Sequence, residues 1–520
     1  MTRLKERKMD DAGVQIKPSE KPDVVMSQEG KLGACAIVIF GASGDLSRRK
    51  LMPAVYNLIK DAMLRENFFV IGTSRSIESA DAFRAVMRES IEKQSRQPPD
   101  DDVWRRLAGR VDHVTGDPGE ASTCARLREK LEQADRECGT QGNHLFYIAT
   151  PPATFLPILE QLRDSELISA GPDTGGGPWP RILIEKPFGH SLASARELNS
   201  MLAATLPESQ IYRIDHYLGK ETVQNIMVFR FGNAIFEPLW NRKHVDYVEI
   251  TAAEELGVER RGSFYEETGV LRDVVQNHIL QVLALCTMEP PAGYEAKGIR
   301  DEKTKIFREL RPMAGRAARS NVVLGQYAGY QDEANVASDS RTPTYAALRV
   351  FVDNWRWQGV PFYLRAGKRL TGQMTEIAIS FQPIPLCLFG RRDVCRAIER
   401  NVLVIRIQPE EGISLRFATK TPGEDLAVSE ATMDFSYARA FERPQPEAYE
   451  HLLLGCLRGD QSLFARDDAV ELEWSFVTPI LEEWESDASA PVHIYEQGSA
   501  GPKEADELLA RSGHSWRKIQ

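Results

Sequence analysis

The chain has 520 residues, enough for roughly two to four ordinary domains. Hydrophobic residues make up 42% and charged residues 27%, a soluble globular balance with ample material for large cores. The net charge of −10 argues against nucleic acid or an anionic membrane as a partner, while leaving room for a local cationic pocket.

Residues 1–33 hold no apolar signal region and carry several acidic residues, so neither a secretory signal nor a transit peptide is expected. A disordered polar tail is the expectation. No run approaches 18 apolar residues, so no membrane span is expected. Seven scattered cysteines without a CxxC spacing read as reduced thiols, which points to the cytoplasm.

From residue 34 the runs "ACAIVIF", "NFFVIGTSRS", "NHLFYIATPP" and "RILIEKPFG" read as buried strands. Between and after them lie helical stretches such as "LMPAVYNLIK", "TFLPILEQLRDS" and "LASARELNSMLAA". This α/β alternation predicts a Rossmann-type doubly wound parallel sheet over 34–215, with "GPDTGGGPWP" at 171–180 as an internal loop. The rhythm then changes. One long helical pattern, "TGVLRDVVQNHILQVLALCTM", precedes alternating runs such as "YAALRVFVDNWRW", "VPFYLRAGK" and "EIAISFQPI". They predict an α+β domain over 216–520: a large, mostly antiparallel sheet with helices on one face. "RIDHYLGKE", 213–221, falls near the junction of the two domains, where ligand clefts often form.

The turn "GASGDL" joins the first strand to the first helix. Gly41 and Gly44 have the G-x-x-G spacing that lets backbone N–H groups and a helix start meet a pyrophosphate, although Leu46 or Ser47 stands where a third glycine is usual. After the second strand, "GTSRS" offers Arg75 and no acid until Glu78. A guanidinium there suits a 2′-phosphate, so NADP is expected over NAD. Taken singly, Arg75 reads equally well as a solvated surface residue.

None of the nine histidines forms HExxH or another metal set, so no catalytic metal is expected. Leu271, Val274, Val275, His278 and Val282 recur at helical spacing and put the imidazole on an apolar face, where most histidines are satisfied core residues. A carboxylate on one nitrogen would turn the other into a general base. Asp273 stands about 140° round an α-helix from His278, so an orienting acid has to come from elsewhere.

Seven stretches occur in order: "GASGDL", "EKPFGHS", "RIDHYLGKE", "RDVVQNH", "PFYLRAGK", "LVIRIQPEEGISL" and "GPKEADELL". Together they resemble the glucose-6-phosphate dehydrogenase family from about residue 35 to the C-terminus. The resemblance implies oxidation of glucose 6-phosphate at C1 to the 6-phospho lactone, the opening step of the oxidative pentose phosphate route, with hydride transfer to NADP. It implies that His278 is the base, oriented by Asp215. His216, Tyr217 and Lys220 match substrate-phosphate contacts, and Glu254, Asp273 and Lys368 other substrate contacts. Lys186 matches a lysine that touches both substrate and cofactor, followed by a cis proline bond. Gly41, Ser43, Gly44, Asp45 and Leu46 match the cofactor turn, and Arg75 the 2′-phosphate contact. A homodimer or homotetramer is implied as well. Gln373 departs from the pattern: some members carry a second lysine there. A structural second NADP site, present in some members, is not predicted.

Two rival readings remain in the residues. One is a dehydrogenase for an unphosphorylated sugar or for NAD, against which the cluster His216, Tyr217 and Lys220 speaks. The other is a silent NADP sensor, which predicts a damaged base; Asp215 and His278 are both present.

Overall fold

The computed structural model describes residues 32–64, 67–168, 178–386, 388, 398–423, 427–441 and 445–519. The expected tail lies outside the described residues up to position 31, as do residues 171–177 of the glycine-rich loop and Cys387 and Cys395.

Six parallel strands come first: β1 (Cys35–Phe40), β2 (Phe68–Ser74), β3 (Val111–Thr115), β4 (His144–Ile148), β5 (Pro180–Ile184) and β6 (Ile211–Ile214). Their spatial order is β6-β5-β4-β1-β2-β3, with Ile39 of β1 facing Gly72 on one side and Tyr147 on the other. Every residue of β1 and β2 is buried, as helices on both faces require. Strand order reverses between β1 and β4, which opens a crevice at their carboxyl ends. Local chemistry sets the covering helices. Ser79 caps Ala80–Gln94 by accepting from the Ala82 N–H at 3.2 Å, and Gly139 ends Ala121–Cys138 at φ +66°.

The second sheet holds β7 (Val245–Ala253), β8 (Val322–Tyr327), β9 (Tyr345–Val350), β10 (Phe362–Gly367), β11 (Met374–Phe381), β12 (Val402–Gln408), β13 (Gly412–Lys420) and β14 (Val428–Ser436). A short β15 (Phe464–Ala465) returns to the first sheet and pairs antiparallel with β6, and β16 (Val492–Tyr495) closes the second. The second order is β14-β13-β12-β11-β7-β10-β9-β8-β16, antiparallel except at β7–β10 and β8–β16. The parallel β7–β10 pair brings the ends of two strands, and the residues after them, side by side.

The two sheets share core material. Ile184, Ile250, Leu283 and Trp474 belong to one continuous apolar cluster. Helix Asp467–Glu485 ties it together: the Trp474 indole N–H donates to the Phe188 carbonyl at 2.8 Å, and the Asn199 amide donates to the Asp467 carbonyl at 3.1 Å.

One helix differs from the sequence pattern. The apolar run from Thr268 predicts continuous helix, yet the backbone turns sharply at Gly269, where φ is +56°. Only glycine takes that value without strain. The unbroken helix runs from 270 to 287 and is wound wide, as π-helix, over Leu271–Ile279. In π winding, residues i and i+5 are the hydrogen-bonded pair and lie nearly in line. Asp273 and His278 are therefore much closer to a common side than α-helical geometry implies.

Arg213, on β6, is buried; its guanidinium donates to Glu208 at 2.8 and 2.9 Å and to the Asn199 side-chain oxygen at 3.0 Å. Arg213→Met strips three charge-assisted bonds and strands their acceptors. It is expected to destabilise the fold by about 2–4 kcal/mol, read from urea unfolding. An unchanged midpoint would show the bonds to be dispensable.

Candidate active site

Asp215 follows β6 directly and caps the turn His216–Gly219, its Oδ1 accepting from the Tyr217 N–H at 3.0 Å. The same oxygen lies 2.5 Å from Nδ1 of His278. Both side chains are buried. Tyr217 stacks on the His278 ring at 4.1 Å and 10°, and His216 meets it edge-on at 4.6 Å. The imidazole is thus clamped by two rings and one carboxylate. With Nδ1 engaged, Nε2 is the nitrogen left to accept a proton.

Charge follows from these contacts. Burial by itself would raise the Asp215 carboxyl, but the charge and hydrogen bond of His278 outweigh it and hold the group at about 2. Burial pulls His278 below its ordinary 6.5, opposed by Asp215. Burial and then the cationic neighbours His278 and Lys186 depress His216 further. An ionised acid beside a neutral imidazole is the state in which the imidazole can act as a base.

Lys186 follows β5 at the end of a cis peptide bond to Pro187. Its ammonium donates to the Asp273 carbonyl at 2.8 Å and to Asp273 Oδ1 at 3.1 Å. Lys368, after β10, donates to Glu254 Oε2 at 2.6 Å, just past β7. Burial would raise Asp273, yet Lys186 and then Lys368 hold it at about 2, so these pairs sit within one electrostatic field. Lys220 lies 5.0 Å from the Tyr217 ring and donates to the side-chain oxygen of Gln408. The cluster therefore holds three cations, three carboxylates and two imidazoles between the two sheets. Gln373 is exposed beside it.

The expected cofactor residues form a second group at the crevice between β1 and β4. Gly41 has φ +81°, and a Cβ there would stand 2.8 Å from the Ala149 carbonyl. Gly44 N–H closes the turn on the Gly41 carbonyl at 2.9 Å. Ser43 and Leu46 are half-buried, whereas Asp45 is exposed with Arg49 3.6 Å away. Arg75 directly follows β2; its side chain is 81% exposed and 3.9 Å from Asp117, a pairing too solvated to hold it. Arg75 makes no contact with the His278 cluster in this arrangement. The link runs through Lys50, on the helix beyond the glycine turn, which is near enough to Lys220 to help depress its ammonium, after burial.

Sequence reasoning missed three residues. Gln408 ends β12 inside "LVIRIQPEEG", and only its contact with Lys220 reveals it. Glu185 is buried, accepts from the Tyr147 hydroxyl at 2.5 Å, and is pushed by burial up to about 7. Tyr449 arrives from helix Ala448–Arg458 to lie parallel to His216 at 6.3 Å. No spacing in the sequence signals either of these two.

A family model described as the glucose-6-phosphate dehydrogenase NAD binding domain matches residues 38–225, and the C-terminal domain model of the same family matches 227–517. The chain belongs to the glucose-6-phosphate dehydrogenase family. Glucose-6-phosphate 1-dehydrogenase of Chlamydia pneumoniae is 44% identical over 496 residues, covering 93% of this chain and 96% of that one. Glucose-6-phosphate 1-dehydrogenase 2 of Mycobacterium tuberculosis is 44% identical over 494 residues, covering 94% and 95%. Among solved structures, the Mycobacterium avium glucose-6-phosphate 1-dehydrogenase superposes with a TM-score of 0.79 at 37% identity, over 94% of this chain and all of that one. A glucose-6-phosphate dehydrogenase in complex with its substrate glucose-6-phosphate superposes with 0.84 at 34% identity, over 93% and 99%. The family's glucose-6-phosphate dehydrogenases share both sheets of this fold.

Proposed function

We propose that the protein oxidises glucose 6-phosphate at C1 to 6-phosphoglucono-1,5-lactone with NADP, using His278 as general base and Asp215 as its orienting carboxylate. The observation that carries this reading is the buried Asp215–His278 contact, in a pocket lined by Lys186, Lys220 and Lys368.

The glycine turn fits a dinucleotide, because a Cβ at Gly41 would fill the close approach to the strand end. Gly41, Ser43, Gly44, Asp45 and Leu46 would hold the pyrophosphate side, and the free guanidinium of Arg75 the 2′-phosphate. NADP, when bound, supplies the carbon that takes hydride from C1. His278 Nε2 accepts the C1 hydroxyl proton as the C1–H bond breaks, and the oxygen's electrons form the carbonyl. Asp215 stabilises the resulting imidazolium through Nδ1. Lys220, with His216 and Tyr217, holds the phosphate. Glu254 and Asp273 accept from sugar hydroxyls, and their present partners Lys368 and Lys186 keep them ionised.

A domain division near residue 215, a homodimer or homotetramer and a cytoplasmic setting complete the proposal. The outer strands β13 and β14 are largely exposed, with Met433 on open surface, which suits a subunit contact. Cys35, Cys124, Cys138, Cys286 and Cys456 are free and buried, which suits a reducing compartment. Among the described residues no helix is long and apolar enough to cross a membrane.

Glucose 6-phosphate deuterated at C1 tests the reaction. The label is expected in reduced NADP and not in solvent; label in water, or no NADP reduction, would overturn the proposal.

A further inference from the structure

Behind the base pair lies a second buried charge cluster that the reaction does not touch. Gln281, three residues beyond His278, donates from its amide to Glu473 Oε1 at 2.6 Å. Helix Ala296–Glu309 adds Lys303, which is 2% exposed. Three buried atoms here have no hydrogen-bond partner among the described residues: Lys303 Nζ, Asp215 Oδ2 and Gln281 Oε1. A buried ammonium needs an anion, and the field of Asp215 reaches both Lys303 and Glu473.

We infer that Lys303 is a positioning residue for the proposed base: its buried ammonium is the rear counter-charge of Asp215, opposite the oxygen that receives His278. The inference rests on the reading of His278 as base. Burial depresses Lys303 to about 8, against the attraction of Glu473 and Asp215. Burial and then Asp215 push Glu473 well above its ordinary range. On the acidic side of neutrality Lys303 is therefore charged and Glu473 protonated, which leaves Asp215 as the anion that balances the ammonium. Lys303 holds Asp215 ionised and lowers the proton affinity of His278 from behind. Lys186 and His216 act in the same direction from the front; Asp273 acts against them from the same helix. Arg300 and Arg466 are the other cations felt by Lys303, and Glu185 the other carboxylate felt by Asp215.

The test is the pH profile of kcat/KM for glucose 6-phosphate in Lys303→Met, Lys303→Arg and Glu473→Gln. Losing the cation makes the imidazolium easier to form, so Lys303→Met is expected to move the acidic limb up by about half to one pH unit. Lys303→Arg keeps the cation and should return the limb to its wild-type position. Glu473→Gln mimics the protonated acid and should leave the limb in place. A limb unmoved in folded Lys303→Met overturns the inference. So does a downward shift in Glu473→Gln, which would make Glu473 the ionised partner; that variant decides alone if Lys303→Met does not fold. His278→Asn separates the two readings: if it keeps its turnover, the base assignment falls. If it is inactive while Lys303→Met leaves the limb unmoved, only the role of Lys303 falls.

Discussion

His278→Asn is expected to bind glucose 6-phosphate with near-normal KM and to turn it over about 10²–10⁴-fold more slowly. The amide can sit beneath Tyr217 and reach Asp215, so the pocket keeps its shape, but it cannot take a proton. The pH dependence of the wild type should carry the same signature. His278 lies below 6.5, so kcat/KM holds through neutrality and falls only as the pH drops past that lowered value and the imidazole is protonated. Asp215, held at about 2, stays ionised throughout. Steady-state kinetics with calorimetric substrate binding checks the variant. Turnover within a few-fold of wild type would remove His278 from the mechanism.

The second large effect concerns the phosphate. Lys220→Met removes an ammonium that now bonds only the neutral Gln408 side chain and faces the Tyr217 ring, so it is available to a dianion. A charge-assisted bond of this kind is worth about 1.5–3 kcal/mol, and kcat/KM for glucose 6-phosphate should fall roughly 10- to 150-fold. Any slow oxidation of unphosphorylated glucose should be unaffected. The exposed, neutral Gln373 adds no charge of its own, which leaves the ammonium of Lys220 the more important. Equal losses for both sugars would place Lys220 in the scaffold instead of the phosphate site.

Much of the fold was legible because its signals are local. Runs such as "ACAIVIF" are buried strands, and the G-x-x-G turn sits where the parallel sheet opens. The motif at 213–221 is dense in polar groups, and the structure divides it: Arg213, Ile214 and Leu218 are buried scaffold, while Asp215, His216, Tyr217 and Lys220 gather round His278 or the adjoining cavity wall. What stayed hidden depends on distance along the chain. The Asp215–His278 contact joins residues 63 apart, and spacing on one helix could exclude Asp273 without naming Asp215. The relation of Asp273 to His278 was misread because periodicity assumes α-helical winding, whereas this helix is wound as π-helix. Gln408, Tyr449, Lys303 and the return of β15 to the first sheet depend on tertiary packing, which no local pattern encodes.

The most direct test of the central claim pairs two substrates with two cofactors. Initial rates for glucose 6-phosphate and glucose, each with NADP and with NAD, are predicted to favour the phosphorylated sugar with NADP over all other combinations. Equal rates for glucose and glucose 6-phosphate would contradict the account.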